Sequence, residues 1–120
     1  MALRDAYFSQ LKRLKEAEEA AARPYNEAHA RLKGLFQEIV ADRELLDSIR
    51  AEVDLNGDEL QIDPGPILIR AAVDQAGDYH MSYEIKANDD PEIVAVPVKT
   101  IPDIEEAIAR LLLEYAGDRT

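Results

Sequence analysis

The chain has 120 residues, 47% of them hydrophobic, no cysteine, and a formal net charge of −11 from 14 Lys/Arg against 25 Asp/Glu. That length fits one domain with a modest core, and the missing cysteines remove disulfides, thiolate metal sites and thiol nucleophiles together. The acidity disfavours phosphate backbones and anionic lipid, so nucleic acid and membrane are not expected partners.

The charge is unevenly placed. Residues 1–53 hold 9 Lys/Arg and 10 Asp/Glu, a net of −1, whereas residues 54–120 hold 5 and 15, a net of −10. Basic partners or bound cations follow as the natural complements. The first twenty residues lack the apolar block of a secretory leader, and no apolar run is long enough to span a bilayer, so cytoplasm is the expected compartment.

Residues 1–53 read as a helical arm rich in Ala, Leu, Glu, Lys and Arg. A heptad frame places Leu11, Glu18, Tyr25, Leu32, Ile39, Leu46 and Val53 at a, and Tyr7, Leu14, Ala21, Ala28, Leu35, Asp42 and Ile49 at d. Glu18 and Asp42 are the misfits. Pro24 removes a hydrogen bond and crowds the preceding turn, so it either kinks one helix or marks a tight corner at Arg23–Pro24. The hairpin is the expected form, because a short chain needs its apolar helical surface for its own core. An unbroken helix of about 50 residues would extend about 75 Å and would need a partner chain.

From residue 54 to residue 100 the period changes to two. Leu60 and Ile62, then Ile67 to Val73, then Tyr79 to Ile85, then Val94 to Val98 alternate as four strands sharing one apolar face. The turns are "DPGP" at Asp63, "DQAGD" with Gly77 left-handed, and "NDDP" at Asn88. The expected pairing is an antiparallel β-meander in the order 1-2-3-4. It sets Ile62 against Ile67, Val73 against Tyr79, Ile69 against Tyr83, and Ile85 against Val94. Pro97 suits an edge strand.

Residues 101–117 form a closing helix, with Pro102 and Asp103 at its start and Gly117 as its stop. Its stripe of Ile101, Ile104, Ile108, Leu111, Leu112 and Tyr115 is expected to cover the sheet. The predicted fold class is therefore α+β: a helical arm or hairpin, a four-stranded meander, and a C-terminal helix packed on the sheet, all in one domain.

Three constellations could carry function. Asp54, Asn56 and Asp58 begin like a calcium loop, but the positions that need glycine and glutamate hold Glu59 and Gly65. The stretch reads instead as a helix exit or turn, leaving only a looser cation reading in which Asp54 and Asp58 converge with Asp74 and Asp78. Tyr79, Met81 and Tyr83 could line a small pocket, although aromatics at period two are more often core. On the opposite strand face, Leu68, Arg70, Ala72, His80, Ser82, Glu84, Ile93 and Ala95 form a mixed polar and apolar surface typical of self-association. Ser82 has no nucleophile elbow or oxyanion hole, so no catalytic residue, cofactor site or metal site is assigned. His29 is expected to face solvent.

The sequence thus reads as a non-enzymatic acidic interaction protein, chaperone- or adaptor-like and homodimeric, acting through its helical arm or its sheet face, with a basic protein as its possible client. The alternative is a regulatory domain that binds a small ligand or cation.

Overall fold

The computed structural model describes residues 2–86 and 90–115. The chain runs α1 (Ala2–Ala41), α2 (Arg43–Ile49), β1 (Glu52–Asn56), β2 (Glu59–Asp63), β3 (Ile67–Val73), β4 (Tyr79–Ile85), β5 (Glu92–Val96) and α3 (Ile101–Tyr115). The five strands form one antiparallel sheet in the order β1-β2-β3-β4-β5. The α+β class and the meander agree with the sequence; the strand count is one higher.

The added strand is β1. Val53 and Leu55 alternate with Glu52, Asp54 and Asn56, and β1 pairs with β2 through Val53↔Ile62 and Leu55↔Leu60. The turn between them is Gly57–Asp58, with Gly57 at φ +63, the two-residue hairpin chemistry that puts glycine first. Asp54 to Asp58 is therefore strand and turn, not a helix exit. Val53 leaves the heptad for the sheet because its neighbours supply an alternating ladder.

The predicted corner at Pro24 is not there. α1 is a single helix of 40 residues with Pro24 inside it. Proline leaves the Ala20 carbonyl without its usual donor four residues on, yet the helix continues because its root is held by the sheet. Tyr79 Oη donates to the Ala28 carbonyl at 3.0 Å, and His29 Nε2 lies 2.8 Å from the Gly57 carbonyl. His29 is thus half-buried against the β1–β2 turn rather than turned to solvent.

α1 ends at Ala41 for a local reason. Asp42 caps α2, its carboxylate accepting from the Leu45 amide at 3.0 Å. The heptad misfit at Asp42 is a helix boundary. Arg50, at φ 50, closes α2 in a left-handed cap whose N–H donates to the Leu46 carbonyl. α3 opens with a reciprocal box: Asp103 N–H donates to Thr100 Oγ1, while Asp103 Oδ2 accepts from the Thr100 and Lys99 amides. These bonds, the one from Lys99 foremost, hold the Asp103 carboxyl below the usual carboxylate range. The turn residues Asn88 and Asp89 and the stop at Gly117 lie outside the described residues.

The register of the central hairpin follows the sequence: Val73↔Tyr79, Ala71↔Met81, Ile69↔Tyr83 and Ile67↔Ile85. The two flanking hairpins are each offset by two residues from expectation. Ile62 pairs with Ile69, not Ile67, and Tyr83 pairs with Val94, leaving Ile85 against Glu92. Between β2 and β3, Pro64 and Pro66 have no N–H to donate, so the chain there makes a wider connection. A shift of two keeps every side chain on its own face, so the apolar pattern is indifferent to it.

Two layers result. The inner face of the sheet (Leu60, Ile62, Ile67, Ile69, Ala71, Val73, Tyr79 and Met81) packs under Ala28, Leu32, Leu35 and Ile39 of α1 and under Ile104, Ala107, Ile108, Leu111 and Leu112 of α3. Tyr79 and Met81 are therefore core side chains. Tyr83 and Val96 are partly buried against the same cluster, and the Tyr83 ring lies 5.7 Å from that of Tyr115.

Candidate interaction surfaces

The helices cover one face of the sheet and leave the other open. All eight residues singled out in the sequence lie on that open face. The pairings Leu68↔Glu84, Arg70↔Ser82 and Ala72↔His80 cross β3 and β4, and Ser82↔Ala95 and Glu84↔Ile93 extend them to β5. The strands β1 and β2 enlarge the surface with Glu52, Asp54, Glu59 and Asp63, which alternate outward from Val53, Leu55, Leu60 and Ile62.

Side chains on this face divide by chemistry. On the β1–β3 side Asn56 donates to Gln61, Gln61 donates to Glu59, and Arg70 Nε sits 3.5 Å from Glu59 Oε1. At the far end Lys86 Nζ donates to both oxygens of Asp63 at 2.6 and 2.7 Å. Ala72 of β3 and Ala95 and Ile93 of β5 offer small or apolar surface on either side of the polar β4 residues His80, Ser82 and Glu84, with Ile93 64% exposed. A shallow concavity runs over Arg70, Ala72, His80, Ser82, Ala95 and Pro97.

His80 is engaged at the edge of this surface. Its Nε2 lies 2.7 Å from Asp74 Oδ2, while Asp74 Oδ1 accepts from the Ala76 and Asp78 amides. The His80 contact, followed by the Asp78 amide, draws the Asp74 carboxyl below its ordinary range. Asp74 is thereby committed to the turn. The β1–β2 and β3–β4 turns do lie at one end of the sheet, joined by the Val73 amide donating to the Asp58 carbonyl. Among the described residues, however, no group of three or more acidic or histidine side chains gathers to hold a metal.

A second surface is the amino-terminal half of α1, the part of the helical arm that the sequence expected to need a partner chain if the helix ran unbroken. Residues 2–24 contain no buried side chain, and the first is Ala28. The Cα radius of gyration is 19.7 Å and the longest dimension 77 Å; a compact chain of this length has a radius of about 14 Å. The difference is the projecting arm, roughly 34 Å of helix. Leu3, Tyr7, Phe8 and Leu14 on this arm are 79%, 60%, 51% and 61% exposed. Phe8 packs edge-on with Tyr7 at 5.2 Å and receives the Arg4 guanidinium 5.2 Å from its ring centre.

One stripe runs the length of the helix. Ala28, Leu32, Leu35 and Ile39 bury the a and d positions of the carboxy-terminal half in the sheet, and Tyr7, Leu11 and Leu14 carry the same positions into the projecting arm. The heptad frame contains this signal. A hairpin at Pro24 would conceal it, by folding those side chains back onto the body.

Charge separates along the same boundary. Residues 2–23 hold 5 Lys/Arg and 4 Asp/Glu, a net of +1, whereas residues 24–120 hold 9 and 21, a net of −12. A near-neutral arm with an apolar stripe leaves a strongly acidic body. No helix among the described residues is long and apolar enough to cross a membrane, so this stripe is not a bilayer span.

Compared with family models, curated proteins and solved structures, the chain matches none of them.

Proposed function

We propose that this protein is a non-enzymatic interaction protein of the adaptor or chaperone type, which works as a homodimer and receives a basic protein segment on its open, acidic sheet face. The observation that carries this reading is the arm: a helix that leaves the body with four large apolar side chains in water. Each such side chain contributes roughly 1.5–3 kcal/mol when fully buried. Association costs roughly 4–15 kcal/mol, so several must be buried together, and two arms supply twice the set. A second copy is the simplest source of a matching stripe.

The sheet face supports the client half of the reading. It combines carboxylates on β1, β2 and β4 with small and apolar side chains on β3 and β5, a composition that suits a segment bearing both Lys/Arg and aliphatic residues.

Light scattering coupled to size-exclusion chromatography, on the full chain at tens of micromolar, tests the reading. A particle of twice the 13.4 kDa chain mass is expected. A monomer at that concentration would remove the homodimer.

A further inference from the structure

We infer that the two arms pair antiparallel, Leu11 of each copy packing on Leu14 of the other, so that the acidic bodies stand at opposite ends of a helical bridge. This rests on the homodimer proposed above and fixes its geometry.

The frame that places Leu11 and Glu18 at a also places Arg4 there, so the seam of the arm reads Arg4, Tyr7, Leu11, Leu14, Glu18, Ala21. Its two charged positions are of opposite sign. In a parallel, in-register pair each a residue faces its own copy: Arg4 meets Arg4 and Glu18 meets Glu18, both at the apolar seam where repulsion is least screened. In an antiparallel pair a faces d. With Leu11 on Leu14 of the second copy, Tyr7 lies opposite Glu18 and Arg4 opposite Ala21. Arg4 is then one turn from Glu18 of the other chain, within reach of its long side chain. The mismatch becomes two ion pairs, and both leucine layers stay apolar.

The charge of the bodies favours the same arrangement. Each carries a net charge of −12 beyond residue 23. Parallel arms would set both at one end, whereas antiparallel arms separate them along the paired helix. The alignment of Leu11 with Leu14 also opposes residue 2 to residue 23, so the pairing spans the stretch of α1 that contains no buried side chain. The outcome is a two-headed particle whose acidic sheet faces are held about 34 Å or more apart. Such a particle can engage two basic segments at once and bridge them.

The absence of cysteine makes the test direct, and arm positions can be changed without touching the body's core. Arg4→Cys and Ala21→Cys chains, mixed and oxidised, should give a disulfide-linked dimer on a non-reducing gel. Arg4→Cys alone should stay largely uncrosslinked. If light scattering shows a dimer but Arg4→Cys crosslinks to itself, the arms are parallel and the inference falls while the homodimer stands. If it shows a dimer and neither experiment crosslinks, the arms are not the interface and the inference also falls. A monomer removes the homodimer and the inference with it.

Discussion

Gly77, at the tip of the β3–β4 turn, packs directly on Pro24 of α1: a Cβ built on the glycine would lie 2.6 Å from the Pro24 carbonyl oxygen. The glycine also sits at φ +86, where other residues are strained. The proline that should have broken the helix is therefore the seat of a turn. Strand, turn and helix meet there without room for a side chain, and the arm departs from this point.

Gly77→Ala meets two penalties at once, the left-handed backbone and a collision with main-chain atoms. A loss of about 1–3 kcal/mol is expected, read as a lower urea midpoint at unchanged m-value. Gly57→Ala is the control: its φ of +63 is also left-handed, but nothing lies within 4 Å of the added carbon. It should cost about 1 kcal/mol. Equal losses at the two sites would deny the contact its role.

Tyr79 ties the sheet to α1. Its hydroxyl donates to the Ala28 carbonyl, and burial raises the phenol above its ordinary pKa, with Arg31 opposing part of the shift. Tyr79→Phe keeps the ring and removes one hydrogen bond, so about 0.5–1.5 kcal/mol should be lost in urea unfolding. Tyr79→Ala also leaves a cavity and should cost about 3–5 kcal/mol. Identical midpoints for the wild type and Tyr79→Phe would show that the hydroxyl holds nothing.

Acid should weaken the fold through two depressed carboxyls. Asp74 and Asp103 both ionise more readily folded than unfolded. Their stabilisation is present above the unfolded value of 3.8 and is lost as pH falls through the lower folded values. The wild-type melting temperature should drop below about pH 4, and Asp74→Asn with Asp103→Asn should flatten that drop. An unchanged slope in the double variant would show that other carboxylates govern it.

The arm should be separable from the body. Leu14→Glu puts a charge into the seam and is expected to convert the dimer to a monomer in light scattering. Amide exchange protection at Leu32 and Ile69, both at most 1% exposed, should be unaltered. Lost protection at those sites would mean that the arm contributes to the core.

The open face should bind cations carried on a chain. Affinity for an oligolysine peptide containing leucine, followed by fluorescence anisotropy, should fall as salt rises. It should fall further, by several-fold, in Glu59→Gln/Glu84→Gln. Binding insensitive to both would place the client elsewhere.

Several features need nothing but the chain. The switch from a helical to a two-residue period assigns the strands β2 to β5 and sorts their side chains, so that Leu68, Arg70, Ala72, His80, Ser82, Glu84, Ile93 and Ala95 fall on one surface. Local chemistry is enough for this, because alternation fixes facing whatever the partner strand does. The β1 hairpin is present in "VDLNGDEL", but Val53 also fits the heptad, and the two periods overlap there.

Tertiary contact decides the rest. Whether Pro24 breaks a helix depends on what supports the turns around it, and that support comes from Gly77, Tyr79 and His29, two of them distant in sequence. The flanking registers shift by two because facing is blind to even offsets, leaving loop geometry to choose. An unbroken α1 then releases the stripe before Pro24 from the core, since a continuous helix cannot fold back onto its own sheet.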